Sequence, residues 1–149
     1  MIFCDSSFLI ALLVAKDYFH PVATAHAAGF TESIPYTLLA ELEVSNTLRR
    51  ALRENTITRA EHDAAFLQIE RDLADGILAR RDVSQSELYR KSRELSKKHT
   101  PVIPARSLDI LHTAAAQLLG ADTLCSLDLR QRDLAKAAGL KLLPAKLPK

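Results

Sequence analysis

An α/β fold in three layers, with helices on both sides of a short central parallel sheet, is predicted by three observations. Short apolar runs alternate with longer helical segments along the whole chain. The helical segments are bounded by capping side chains at their starts and, in several cases, by glycine at their ends. The length, 149 residues, is that of one domain. Brief buried strands interleaved with helices are the pattern of a parallel sheet covered on both faces. In such sheets, ligands bind beyond the carboxyl ends of the strands.

Each element follows from local sequence. Ile2-Phe3-Cys4 reads as a buried strand. Asp5, Ser6 and Ser7 then offer N-cap side chains for a helix over Phe8 to Ala15. His20-Pro21 opens a second helix to about Ala28, and Ser33 to Tyr36 reads as the second strand. Thr37 caps a helix to about Glu54, in which Ala40, Val44, Leu48, Ala51 and Leu52 share one face at 100° per residue. Glu43, Asn46, Arg49, Arg50 and Arg53 fall on the other side, and Glu41 falls on the apolar side. Thr58 caps a helix to about Asp75, stopped by Gly76, and Ile77 to Ala79 reads as a third strand. Ser84 or Ser86 opens a helix to about Lys98, and Thr100 to Pro104 is a proline-rich connection. Arg106 to Leu119 is strongly helical, with Gly120 at its C′ position. Thr123-Leu124-Cys125 is a fourth strand. Asp128 to Ala138 is a helix ending at Gly139, Lys141 to Leu143 a last strand, and the residues to Lys149 a tail.

Composition narrows the function classes. A net charge of +2 excludes a strongly cationic nucleic-acid coat but leaves room for a local basic patch. The two cysteines, Cys4 and Cys125, lie in apolar strands and read as small core residues. With no CxxC or Cys/His cluster, a zinc site is not expected, and a reducing cytosol is the natural compartment. The apolar start resembles a signal peptide only superficially, because it lacks a basic segment and Asp5 comes early. The run Phe8 to Ala15 is too short to span a bilayer.

The chemistry-bearing feature is a set of acids in apolar surroundings: Asp5, Glu43 with Glu41 as its rival, Asp109 and Asp128. Each stands where a strand ends or a helix begins, and such carboxylates are costly unless something offsets their desolvation and mutual repulsion. A divalent cation does so, and hard cations such as Mg²⁺ and Mn²⁺ choose oxygen ligands. Each acid also has a plainer explanation. Asp5 and Asp128 suit helix caps, and Asp109 suits a first turn favoured by the helix dipole. Glu43 suits a solvated partner of Arg50 or Arg53, and Glu41 a partly buried acid satisfied by a neighbour. His112, on a Leu/Ala-rich helix, reads as a structural core histidine. The basic groups Arg49-Arg50-Arg53, Arg80-Arg81, Lys97-Lys98 and Arg130-Arg132 read as solvated faces, a subset of which would steer a polyanion.

Four segments together resemble the PIN-domain ribonucleases, in particular the VapC-type toxins of prokaryotic toxin–antitoxin pairs. IFCDSSFLIALL resembles the family's start, TLLAELEVSNTLRRAL its second motif, RSLDILHTAAAQLLGAD its third and TLCSLDLRQRDLAKAAGL its closing segment. The resemblance spans nearly the whole chain, as one PIN-like domain over residues 1–149. Many relatives have Thr and an aromatic where this chain has Ser126 and Leu127. The resemblance implies that Asp5, Glu43, Asp109 and Asp128 are the catalytic, metal-binding acids, with Ser6, Ser126 and Asn46 supporting them. Glu43 is preferred over Glu41 because Asn46 follows it at i+3 and both point away from the apolar face.

The resemblance further implies endoribonuclease activity on RNA with Mg²⁺ or Mn²⁺, leaving 5′-phosphate and 3′-hydroxyl ends. It implies a small VapB-like antitoxin as partner, a homodimer, no membrane association and a prokaryotic cytoplasmic location. The alternatives are a non-toxin PIN nuclease of RNA processing and a catalytically inert PIN-fold binding module. All four acid positions being filled counts against the inert module.

Overall fold

In chain order the elements are β1 (Ile2–Cys4), α1 (Ser6–Leu13), α2 (His20–Ala27), β2 (Ile34–Tyr36), α3 (Leu38–Arg53), α4 (Arg59–Ala74), β3 (Leu78–Arg80), α5 (Gln85–His99), α6 (Ser107–Leu118), β4 (Thr123–Cys125), α7 (Leu129–Ala137) and β5 (Lys141–Leu143). The computed structural model describes residues 1–148; Lys149, the end of the expected tail, lies outside the described residues. The chain divides into two units, one made of Met1–Asp5 with the segment from Asp82 onward, the other of Ser6–Arg81. No helix among the described residues is long and apolar enough to cross a membrane.

The first unit is built on a parallel sheet of order β1-β4-β5. Cys4 is level with Cys125, and Cys125 with Leu143, so the carboxyl ends of all three strands lie side by side. The ladder continues one step beyond the strands: Asp5 N–H donates to the Cys125 carbonyl at 3.0 Å, and Ser126 N–H to the Leu143 carbonyl at 3.1 Å. Phe3 and Leu124 are fully buried and pack with Ala115, Ala116, Ala135 and Leu140, contributed by the helices and loops of this unit. Burying side chains of the Phe and Leu size stabilises by roughly 1.5–3 kcal/mol each. A second cluster of Leu95, Ile110, Ala114 and Leu134 locks α5, α6 and α7 together. The turns into β4 and β5 pass through Gly120 and Gly139 at φ +77° and +89°, backbone that glycine adopts without penalty.

The second unit carries its own parallel pair, β2-β3, in the register Ile34–Leu78 to Tyr36–Arg80. The pairing is thus split into two ladders where the sequence predicts one sheet. Pro35 supplies the reason. Ile34 N–H donates to the Ile77 carbonyl and the Tyr36 carbonyl accepts from Arg81 N–H, so the hydrogen-bonding groups of Ile34 and Tyr36 face β3. On its other edge β2 presents Pro35, which has no N–H, and proline confines a strand to a sheet edge. Thr37 and Thr58 cap α3 and α4 as predicted. Thr37 Oγ1 accepts from Ala40 N–H, and Thr58 exchanges reciprocal bonds with Glu61. The buried face of α3 is Ala40, Val44 and Leu48, as the helical periodicity requires.

Candidate metal centre

Parallel register places the residues that follow β1 and β4 next to one another. Asp5, the first residue past β1, is 3% exposed. Ser126, the first residue past β4, is fully buried and donates its hydroxyl to Asp5 Oδ2 at 2.6 Å, the length of a charge-assisted bond. The same hydroxyl oxygen accepts from Asp128 N–H at 3.1 Å. Ser126 therefore ties the Asp5 carboxylate to the turn that carries Asp128.

Asp128 is the N-cap of α7, and its Oδ1 accepts from Arg130 N–H at 2.8 Å and Gln131 N–H at 3.3 Å. Asp109 lies in the first turn of α6, and its Oδ2 accepts from Arg106 N–H at 2.8 Å. The capping and first-turn explanations for these two acids are therefore true of their geometry. They do not exhaust it, because each carboxylate also faces a side chain of α7.

Gln131 joins the two acid-bearing turns. It is 2% exposed, and its Nε2 donates to Thr113 Oγ1 at 2.8 Å and to the Asp109 carbonyl at 3.2 Å. Thr113 Oγ1 in turn donates to the Asp109 carbonyl at 2.9 Å. Arg132 holds the other side of α7. It is buried and donates to the carbonyls of Ser126, Pro144 and Ala145 at 2.9, 2.8 and 3.3 Å. Burial pushes the Arg132 pKa down, and the nearby Asp5 charge pulls it back up.

Arg130 stands by the two carboxylates. Its Nε is 3.9 Å from Asp109 Oδ2 and its Nη2 is 3.5 Å from Asp128 Oδ2. A protein cation thus sits between two acids that the sequence marks as metal ligands. The donor set suits a hard divalent ion, being carboxylate oxygens with a serine hydroxyl beside them. Among the described residues, no three His, Cys, Asp or Glu side chains stand close enough as they lie to enclose an ion. The donor chemistry fits such an ion, and the Arg130 guanidinium faces two of these acids.

The remaining predicted positions belong to the second unit. Ser6 opens α1, and Glu43 and Asn46 lie on α3. Glu41 is engaged elsewhere on that unit: Arg80 donates to both of its carboxylate oxygens, one of them at 3.2 Å. That pairing holds the Glu41 carboxyl below its usual pKa, and the buried Tyr36 beside it is pushed up to about 12, chiefly by desolvation. His112 is 2% exposed with its ring tilted against Phe3, in keeping with a core histidine. Asp5, Asp109, Asp128 and Ser126, by contrast, all belong to the first unit.

Sequence reasoning missed Gln131 and the individual roles of Arg130 and Arg132. A signal for Gln131 was present: it shares the face of Leu134, Ala135 and Ala138 at i+3, i+4 and i+7, and so had to be buried. The two arginines form one basic group in the sequence but lie about 200° apart on the helix.

No family model matches the chain. The chain is 32% identical to ribonuclease VapC46 of Mycobacterium tuberculosis (strain ATCC 25618 / H37Rv) over 128 residues, covering 78% of this chain and 97% of that protein. Among solved structures, M. tuberculosis VapC20, described as a sarcin–ricin loop cleaving toxin, superposes with a TM-score of 0.71 at 21% identity, covering 97% of this chain and all of that one. FitAcB of Neisseria gonorrhoeae gives 0.63 at 14% identity, covering 97% of this chain and 98% of that one. VapBC2 of Rickettsia felis, bound to a DNA fragment from its promoter, gives 0.61 at 15%, covering 95% and 97%. The three-layer α/β/α class predicted from the sequence is that of these structures. By its likeness to VapC46 across nearly all of that protein, the chain belongs to the VapC-type PIN ribonucleases.

Proposed function

We propose that the protein is a divalent-metal-dependent endoribonuclease acting as the toxin of a toxin–antitoxin pair. The observation that carries this reading is the linkage of Asp5, Asp128 and Asp109 through Ser126 and Arg130 at the carboxyl ends of β1 and β4. Three acids from distant parts of the chain share one end of a parallel sheet, where α/β folds bind ligands. Kinship with a protein named a ribonuclease supports RNA as the substrate.

Asp5, Asp109 and Asp128 would hold Mg²⁺ or Mn²⁺. Glu43 would be the fourth acid, the role that the family resemblance assigns to its position. When bound, the ion supplies Lewis acidity, lowering the pKa of water and stabilising charge on the phosphoryl oxygens. The chain's own residues set the geometry. Ser126 fixes the rotamer of Asp5, the α7 N-terminus fixes Asp128, and Gln131 with Thr113 fixes the turn bearing Asp109.

An antitoxin partner is supported by a groove of about 680 Å³ in the second unit. It is lined by Leu9, Leu13, Phe30, Ile69 and Ile77, with Asp72 and Asp75 among its lining. A largely apolar lining that also carries acidic residues suits a basic amphipathic helix.

The test is cleavage of an unstructured RNA by the purified full chain, with Mn²⁺ or with chelator. The wild-type chain should cleave only with the ion. Asp5→Asn should lose more activity than the ~100-fold that marks the upper range for outer-shell partners. It should also melt at or above the wild-type temperature, because like-charge repulsion falls. Undiminished cleavage by Asp5→Asn, or full activity in chelator, would overturn the proposal.

A further inference from the structure

We infer that Arg130 is a resident counter-cation that competes with the divalent ion for Asp109 and Asp128, and that its displaced guanidinium then contacts the RNA phosphate. The inference rests on the metal-dependent reading above. It assigns to α7 a role that couples metal loading to substrate binding.

The two carboxylates cannot easily turn away from each other's field. Asp128 Oδ1 is held by two backbone N–H groups at the start of α7, and Asp109 Oδ2 by Arg106 N–H. Arg130 is the cation that stands near both of these held carboxylates. Its place in the helix is otherwise unfavourable. Arg130 is the second residue of α7, at the positive end of the helix dipole, where a cation is disfavoured.

The contacts are those of a displaceable group. Charge-assisted hydrogen bonds to a carboxylate run at about 2.7–2.9 Å, whereas Arg130 stands 3.5 and 3.9 Å from its two partners. Its Nε is buried and makes no hydrogen bond among the described residues, and its Nη2 donates to Asp128 Oδ2 only at the long distance of 3.5 Å. The side chain is 36% exposed, which gives it a way out to solvent. A divalent ion brings twice the charge in a compact form and takes the oxygens the guanidinium now faces. Both cannot occupy that point at once. A guanidinium released at the rim of a loaded site has the planar fork that matches a phosphate.

Isothermal titration of Mn²⁺ into the metal-free full chain tests this, alongside Arg130→Met, Arg130→Lys and Asp128→Asn. Arg130→Met should bind Mn²⁺ ~5-fold tighter or better, the low end of typical coupling between sites. Arg130→Lys, which keeps the charge but not the fork, should fall between it and wild type. Asp128→Asn should bind more weakly. In steady-state RNA cleavage at saturating Mn²⁺, Arg130→Met should raise KM with a smaller change in kcat. Far-UV circular dichroism establishes that each variant is folded. If wild type binds Mn²⁺ and Arg130→Met binds it equally or less well, the competition is refuted and the nuclease reading stands. If Arg130→Met binds tighter but its KM is unchanged, the phosphate contact is refuted. If neither binds Mn²⁺, the metal-dependent reading itself fails.

Discussion

Two arginine–carboxylate arrangements in this molecule differ in a way that separates scaffold from site. In the second unit, Arg80 grips Glu41 with both terminal nitrogens, one on each carboxylate oxygen. In the first unit, Arg130 lies 3.5 and 3.9 Å from two different acids, with its Nε buried and making no hydrogen bond. The Glu41–Arg80 pair is the more exposed, its side chains 38% and 56% open to solvent, yet it has the better hydrogen-bond geometry. The Arg130 group includes the better-shielded Asp109, 13% exposed, yet its fork makes only a long 3.5 Å bond to Asp128 and stands 3.9 Å from Asp109. A closed fork–fork pair has no capacity left for a ligand. A loosely held cation among fixed acids keeps that capacity.

Perturbing the two regions therefore has different readouts. Gln131→Leu removes the donor that joins the turns of Asp109 and Asp128 while nearly conserving volume. It should cost about 1–2 kcal/mol by chemical denaturation, because it leaves a buried carbonyl and hydroxyl short of a donor. It should also weaken Mn²⁺ binding ~10-fold, as loss of an outer-shell partner does. Normal Mn²⁺ affinity in Gln131→Leu would show that the polar bridge serves stability alone.

Arg80→Ala is the opposite case. Its effect on stability should be only a few tenths of a kcal/mol, since an exposed pair is screened by solvent. The pairing holds the Glu41 carboxyl below its ordinary value of 4.5. The stabilisation is therefore present above that value and fades as pH falls through the depressed folded-state value, where Glu41 takes up its proton. The difference in melting temperature between wild type and Arg80→Ala should shrink on acidification below pH 4.5, and Mn²⁺ affinity should be untouched at neutral pH. Weakened Mn²⁺ binding in Arg80→Ala would erase the distinction between the two regions.

Much of this arrangement was legible in the chain. Thr37, Thr58 and Asp128 announced helix starts, because a side-chain oxygen before an apolar-periodic run has few other uses. Gly120 and Gly139 announced the stops before β4 and β5. Asp5 and Ser126 were readable as strand-end residues because three-residue apolar runs precede them. The division of the strands into two ladders was not foreseen, although Pro35 carried the information. A proline in the middle of a short strand leaves one edge without a donor. Arg130 and Arg132 look alike in sequence and diverge only through helical geometry. One faces the Asp109 and Asp128 carboxylates, and the other is buried among the carbonyls of Ser126, Pro144 and Ala145. Long-range polar contacts of this kind leave no periodic trace. Gln131 was the exception, a polar residue at a position that periodicity assigns to the core.

The most direct test is a crystal of the full chain soaked in Mn²⁺ and measured at the manganese absorption edge. The account predicts an anomalous peak within coordination distance of Asp109 and Asp128, with the Arg130 guanidinium moved off both. A peak elsewhere on the chain, or manganese bound at those acids with Arg130 still between them, would contradict it.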